Sequence, residues 1–237
     1  DFGIEAAIHA MHQVYAQEET EGVIMADAAN AFNNLNRNVA IRNIRHQCPS
    51  LAAVVINSYR RPSNLYVAGE CILSQEGTTQ GDPLAMPFYA LGILPLVRAV
   101  ATPDTCQLWY ADDSSAGGRL VAIRSWWDKL QAEGPSYGYH LNARKSVLVV
   151  KPHAYDDAVR LFADTGIQVT SDGNRYLGSA IGTPDYIHGF IQEKANEWCK
   201  QIETLSSFAR THRHPQAASC FCLCSLMPLD RDSCVVF

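Results

Sequence analysis

The chain has 237 residues, of which 47% are apolar and 18% are charged. This composition is typical of a globular protein and excludes disordered and fibrous classes, and the length suffices for one domain with an appendage or for two small domains. The net charge of −5 argues weakly against a nucleic-acid partner, because domains that bind phosphates are usually basic overall.

Several features predict where the protein resides. The longest uncharged apolar stretch, residues 83–97, contains three prolines and is too short and too interrupted to span a bilayer. The chain starts with Asp and shows no basic-then-apolar leader, so we expect an intracellular fragment of something longer. Eight cysteines, four of them crowded near the end, do not resemble the disulfide framework of a secreted protein and favour a reducing compartment.

Charge is unevenly distributed along the first quarter of the chain. Residues 1–27 carry six acids and no Lys or Arg, whereas residues 28–61 carry five arginines and no acid. The second block predicts a basic face.

The periodicity of apolar residues predicts an α+β domain with a largely antiparallel sheet, followed by a helical piece from about residue 185. In chain order the pattern indicates a helix (2–16), a buried strand (22–27), two helices (36–49, stopped by Pro49, and 51–59), a hairpin (64–77, turning near Gly69), an apolar helix (84–100), a strand (106–112), a turn, a helix (121–133), a strand (146–152), a helix (155–164), a closing strand pair (167–182) and a long amphipathic helix from Tyr186.

Two of the predicted strands end in acidic residues. The segment LWYADDSSAGG places Asp112 and Asp113 after an apolar strand and before turn-forming residues, and GVIMAD ends in Asp27. Like charges held close together repel unless a cation joins them, and carboxylate oxygens suit magnesium or manganese. Two such strands side by side would form a two-metal site for phosphoryl transfer. Alternatively, the acid pair is a solvated turn and Asp27 is a helix N-cap.

Five segments in a fixed order carry a resemblance that periodicity cannot supply. They are ADAANAF, EGTTQGDPLAMPFYAL, WYADD, YGYHLNARKS and RYLGSAIG, all within residues 22–182. Their succession resembles the palm motifs of reverse transcriptases, in particular those of the branch of non-LTR retroelements and group II intron proteins. The resemblance implies a right-hand polymerase palm, with an antiparallel sheet flanked by helices, and RNA-directed DNA synthesis.

The resemblance implies roles for the acids and their neighbours. Asp27 and Asp112 match the carboxylates that bridge two Mg²⁺ or Mn²⁺ ions, Asp113 is the third acid, and the Ala28 carbonyl would complete the coordination of one ion. Lys145 resembles the lysine beside the leaving pyrophosphate, although a lysine before a strand is more often only solvated.

Further positions match the substrate contacts of the family. Phe32 matches the aromatic residue under the incoming sugar, which selects dNTPs over NTPs; the alternative is a core phenylalanine. Gln80 and Gly81 match the loop that contacts the incoming nucleotide and the template, whereas the following Asp82–Pro83 could be only a helix start.

Other matching positions concern the nucleic acid. Tyr176, Leu177 and Gly178 match the hairpin that grips the primer end. Arg60 and Arg61 are candidates for contacts with the phosphates of RNA template or DNA primer, although surface arginines are usually solvated.

The sequence departs from the family at both ends. Few residues precede Asp27, so we interpret residues 1–184 as a palm that lacks most of the fingers. Residues 185–237 are interpreted as a partial thumb helix with an atypical tail, truncated or frame-shifted as in a decaying mobile element. A zinc site from His212, His214, Cys220 and Cys222 lacks the usual ligand spacing.

The predicted activity is therefore addition of dNTPs to a primer 3′-OH on an RNA template by a retrotransposon enzyme, which the family's habits would place in the nucleus. Two alternatives remain: a catalytically silent nucleic-acid-binding remnant, and an RNA-templated RNA polymerase, which Phe32 and YADD disfavour.

Overall fold

The computed structural model describes residues 3–79 and 81–211. The four residues considered for a zinc site and the cysteine-rich tail lie outside these residues. Among the described helices, none is long and apolar enough to cross a membrane.

Helices and strands alternate along the chain as an α+β domain. The helices are α1 (Ile4–Ala16), α2 (Ala31–Asn34), α3 (Arg37–Gln47), α4 (Pro49–Tyr59), α5 (Ala85–Val100), α6 (Leu120–Glu133), α7 (Tyr155–Leu161) and α8 (Pro184–Thr211). The strands are β1 (Gly22–Ala26), β2 (Ser63–Val67), β3 (Glu70–Ser74), β4 (Thr105–Tyr110), β5 (Asp113–Gly118), β6 (Val147–Val150), β7 (Gln168–Thr170), β8 (Gly173–Tyr176) and β9 (Ser179–Gly182).

The central sheet has five strands in the order β4-β5-β1-β6-β7. All neighbours are antiparallel except β6 and β7, which are parallel. The β2–β3 and β8–β9 hairpins form separate two-stranded sheets. This arrangement confirms the predicted α+β class with a largely antiparallel sheet flanked by helices.

Apolar residues on both faces of the sheet are buried, as the alternation of side chains along a strand requires. Val23 and Val149 face α1 and the β8–β9 hairpin, in a cluster with Met11 and Tyr176. On the other face lies a larger cluster under α5, α6 and α7, which contains Ile24, Leu96, Ala116, Trp126, Leu148 and Phe162. A third cluster joins α2, α3, α4 and α5 beside the sheet.

Two strand predictions were wrong. The residues DSSAGG, interpreted as a turn, form strand β5 in the interior of the sheet, with only Ala111 and Asp112 in the turn. Their small size is what the packing requires, because a Cβ on Gly117 would come within 2.6 Å of Val14 in α1. The predicted closing pair is also different, since β7 joins the central sheet and the segment 173–182 pairs with itself.

The predicted basic face is incomplete. Arg42, Arg45, Arg60 and Arg61 are exposed, but Arg37 is buried. Its guanidinium donates to the Gly77 carbonyl at 2.7 Å and to the Ser74 carbonyl at 2.8 Å. Arg37 thus stabilises the segment that leads into the QGDP loop instead of meeting a ligand.

Candidate active site

A tight turn between β4 and β5 presents the acid pair. Tyr110 pairs with Asp113, which leaves a two-residue turn of Ala111 and Asp112. Ala111 has φ of 52°, a left-handed conformation that costs an L-residue with a Cβ about 1–2 kcal/mol. The hairpin therefore holds the two carboxylates in a strained and defined position at the end of the sheet.

Asp27 lies beside this turn. It follows Ala26, which pairs with Ser114 on β5. The antiparallel register of β1 and β5 therefore places Asp27 next to the acid pair. Its amide donates to the Ser146 hydroxyl at 3.0 Å, and its carbonyl accepts from the Asn142 amide at 2.8 Å. The N-cap of α2 is Asn30, so Asp27 is not a helix cap.

The electrostatics of Asp27 show which groups surround its carboxyl. Burial raises its pKa, the nearby Lys145 ammonium lowers it, the Asp112 carboxylate raises it again, and a hydrogen bond from the Asn142 side chain lowers it. The structure therefore brings Asp27, Asp112 and Lys145 close enough for their charges to interact, although they are far apart in sequence.

The oxygen ligands of Asp27 and Asp112 suit a hard divalent cation. A bound cation would offset both the burial of the Asp27 carboxylate and its repulsion by the Asp112 carboxylate. Within residues 3–79 and 81–211, however, no three His, Cys, Asp or Glu side chains converge as a ready metal-binding group. The assignment of Asp27, Asp112 and Asp113 as metal ligands stays a prediction.

Ala28 continues from Asp27 and forms an isolated antiparallel bridge with Leu141. The flanking bonds, Asn142 amide to Asp27 carbonyl and Ala29 amide to His140 carbonyl, make Ala28 and Leu141 a non-hydrogen-bonded pair. In such a pair each residue's own carbonyl points away from the other strand. The Ala28 carbonyl is therefore directed away from Leu141, toward the side of β1 on which β5 lies.

Phe32 lies on the short helix α2, next to the loop predicted to contact the nucleotide. Its ring stacks on Tyr89 of α5 with centroids 4.4 Å apart, and its carbonyl accepts from the Thr78 amide at 2.7 Å. Phe32 is half-buried, with its ring packed against Tyr89.

The QGDP loop follows. Gln80 lies outside the described residues, and Gly81 adopts φ of 85° with open space where a Cβ would be. Asp82 accepts hydrogen bonds from the Tyr59 hydroxyl and from the Leu84 amide, the latter at 2.8 Å. Asp82 lies before α5, whose N-cap is Leu84, and its side chain anchors the loop to α4 through Tyr59.

The β8–β9 hairpin is tied to the acid turn. Leu177 and Gly178 form its two-residue turn, both with positive φ, as a type I′ turn requires. The buried Tyr176 hydroxyl is 3.0 Å from the Ser115 hydroxyl on β5. Arg60 and Arg61 lie elsewhere, exposed at the end of α4.

Sequence reasoning missed Tyr139. This side chain is 1% exposed, its hydroxyl is 2.9 Å from the Ser114 hydroxyl, and it donates to the Asp112 carbonyl at 3.1 Å. Burial raises the pKa of Tyr139, the bond to Ser114 lowers it, and the charges of Asp112, Asp113 and Asp27 raise it. Tyr139 therefore stabilises the acid turn by a hydrogen bond from the protein interior.

Sequence reasoning also missed Tyr89, which links Phe32 to the acids. Burial raises its pKa, and Tyr139, Asp112 and Asp113 raise it further by their charges. In an apolar run such as MPFYALGIL, a tyrosine has the same pattern as a core aromatic residue, so no sequence signal distinguishes it.

No protein-family model and no curated protein matches the chain. Among solved structures, apo telomerase from Candida tropicalis is similar with a TM-score of 0.56 at 13% identity, over 74% of this chain and 34% of that one. The chain has a reverse-transcriptase-like fold. In this fold the end of the central strand β1 and the β4–β5 turn, with their acids, lie at the same end of the sheet.

Two other telomerase structures are more distantly similar. A C. tropicalis form truncated from its C-terminal domain has a TM-score of 0.47 at 14% identity, over 76% of this chain and 37% of that one. Telomerase from Candida albicans in complex with a TWJ fragment of telomeric RNA has a TM-score of 0.48 at 11% identity, over 77% and 32%. The chain spans about a third of the length of these proteins.

Proposed function

We propose that the chain is the palm of an RNA-directed DNA polymerase that adds dNTPs to a DNA primer on an RNA template. The observation that carries the proposal is the meeting of Asp27 with the Asp112–Asp113 turn at one end of the central sheet, within a reverse-transcriptase-like fold. The ordered motifs of the sequence support the assignment of substrate classes.

In this proposal Asp27, Asp112 and Asp113 hold two Mg²⁺ ions, with the Ala28 carbonyl as a further oxygen ligand. Bound divalent ions neutralise the charge that develops on the attacking and leaving oxygens of an in-line displacement. The turn fixes two of the carboxylates, and Tyr139 fixes the turn.

The other residues orient the substrates. Phe32, supported by Tyr89, lies under the deoxyribose, and Gln80 and Gly81 contact the nucleotide and template. Lys145, whose charge already acts on Asp27, donates a proton or a charge-assisted hydrogen bond near the departing pyrophosphate.

The nucleic acid is bound outside this centre. Tyr176, Leu177 and Gly178 grip the primer end, next to the acid turn through the Tyr176–Ser115 hydrogen bond. Arg60 and Arg61 contact phosphates. By the resemblance of its sequence motifs, the source would be a retrotransposon of the non-LTR and group II intron branch, and the family's habits would place it in the nucleus.

The test is primer extension by the 237-residue chain on an RNA template with Mg²⁺ and dNTPs. We expect extension, and a loss of about 100-fold or more in Asp112→Asn, because a ligand of the developing charge is removed. Asp104→Asn makes the same chemical change at an exposed loop position before β4 and should leave extension unchanged.

Extension that survives Asp112→Asn would refute the assigned chemistry. If the unaltered chain binds primer–template but extends nothing, the rival hypothesis of a catalytically silent remnant is correct. NTPs incorporated as readily as dNTPs would instead favour the RNA polymerase alternative.

A further inference from the structure

Three side-chain polar atoms among the described residues are buried without a hydrogen-bond partner: Thr78 Oγ1, the Tyr89 hydroxyl and Trp127 Nε1. Burying an unpaired hydroxyl destabilises a folded protein, so such groups call for an explanation. Two of the three border Phe32, since Tyr89 stacks on its ring and the Thr78 amide bonds to its carbonyl. The unsatisfied polar groups therefore concentrate at the predicted sugar position.

The Tyr89 hydroxyl is the better placed of the two. Its ring is 1% exposed and stacks on Phe32 at an interplanar angle of 28°. Its hydroxyl lies within the range of the charges of Asp112 and Asp113. Tyr89 thus packs against the Phe32 ring, with its unpartnered hydroxyl close enough to the acid turn to sense its charges.

A neutral tyrosine hydroxyl is a hydrogen-bond donor. The ring of Tyr89 satisfies the packing, so a phenylalanine would fill the same place without leaving an unpaired polar atom. A donor in this place suits a ligand that brings an acceptor oxygen between Phe32 and the acids. A nucleoside triphosphate carries such oxygens on its sugar and on its phosphates.

We propose that the Tyr89 hydroxyl donates a hydrogen bond to an oxygen of the incoming dNTP and is a nucleotide-binding residue of this site. The inference rests on the proposed function and adds a contact beyond the matched motif positions. Tyr89 acts in substrate binding, so its loss should weaken dNTP binding more than the chemical step.

The test compares Tyr89→Phe with the unaltered chain in single-nucleotide primer extension. We expect KM for the dNTP to rise about 10-fold, the loss typical of one hydrogen bond to a charged or polar ligand, with kcat changed much less. Tyr155→Phe, which removes a hydroxyl from an exposed tyrosine on α7, is the matched control and should leave KM unchanged.

A 3′-deoxy nucleotide identifies the oxygen. If the sugar 3′ oxygen is the acceptor, Tyr89→Phe raises KM for the dNTP but not for the 3′-deoxy analogue. If a phosphate is the acceptor, the two values rise by the same factor.

Urea unfolding without nucleotide separates binding from folding. Tyr89→Phe should be no less stable than the unaltered chain, because the hydroxyl has no protein partner to lose. An unchanged KM in a folded Tyr89→Phe chain would overturn this inference while leaving the proposed function intact. A chain that extends no primer with any nucleotide would remove both.

Discussion

At the level of single residues, placing the acids together destabilises the folded protein through the raised pKa of Asp27. Its pKa is raised by burial and, after the opposing effect of Lys145, by Asp112. An acid whose folded-state pKa lies above its unfolded value of about 3.9 destabilises the folded protein once the pH exceeds that unfolded value. Stability should therefore fall as the pH rises through the window between the two pKa values.

The variant Asp27→Asn tests whether the Asp27 carboxylate destabilises the folded protein. Without divalent ions, we expect the variant to be more stable than the unaltered chain near pH 7, by less than about 1 kcal/mol because the site is partly open to water. The difference should shrink toward zero below about pH 4, where both folded and unfolded Asp27 are protonated. Urea midpoints across this pH range measure it.

Asp104→Asn serves as the control, and its stability difference from the unaltered chain should stay nearly flat with pH. The opposite result would be a stability difference, Asp27→Asn variant minus unaltered chain, that is lower at pH 7 than at pH 4. It would mean that the lowering of the Asp27 pKa by Lys145 and Asn142 outweighs its raising by burial and Asp112.

Candidate site positions could be named from the sequence only where they lie in short motifs. Asp27, Asp112 and Phe32 lie in such motifs, and their roles stay predictions. Arg37, Tyr89 and Tyr139 depend on partners about 40, 57 and 27 positions away, respectively, which no local pattern encodes. Arg37 in particular could be assigned to a basic face, since sequence gives its charge but not the carbonyls that bury it.

At the level of elements, the turns of two hairpins each contain an alanine in the same strained backbone conformation. Ala111 in the β4–β5 turn and Ala68 in the β2–β3 turn both have φ of 52°. Glycine adopts this conformation without the steric cost of a Cβ. We expect Ala111→Gly and Ala68→Gly each to raise the free energy of unfolding by up to about 1 kcal/mol, as measured in urea.

The two variants should differ in primer extension. Ala111→Gly loosens the turn that carries Asp112, so its extension rate should fall several-fold, by roughly the cost of a small misplacement of a reacting group. Ala68→Gly changes an exposed hairpin tip and should extend primers at the unaltered rate. Equal rates in both variants would show that the strain at Ala111 has no role in placing the acids.

Most elements were predictable because their apolar residues repeat at helical or strand spacing. Helices α1, α5 and α6 begin and end within two residues of the sequence-based bounds. Strand β5 was missed because it has no large apolar residue: Ser114 and Ser115 bond to Tyr139 and Tyr176, and Gly117 admits α1. Tertiary contacts, not local propensity, make that segment a strand.

At the level of the whole molecule, net charge opposes the proposed partner. A chain with a charge of −5 gains little from nonspecific attraction to phosphates, so binding to nucleic acid must depend on a few local cations. Arg60 and Arg61 are adjacent, exposed and at the end of a helix, within a stretch of 34 residues (28–61) without an acid. They are the best placed of the exposed arginines for this role.

The salt dependence of primer–template binding tests that role. If Arg60 and Arg61 each neutralise one phosphate, the double variant Arg60→Ala/Arg61→Ala should flatten the slope of log K against log salt by about 1.4 to 1.8. The matched control is Arg160→Ala/Arg175→Ala, which removes the same charge from arginines already paired with Asp157 and Glu193. The control should leave the slope unchanged, because those cations are occupied by carboxylates. A slope that falls equally in both double variants would mean that net charge, and not a contact at the end of α4, governs binding.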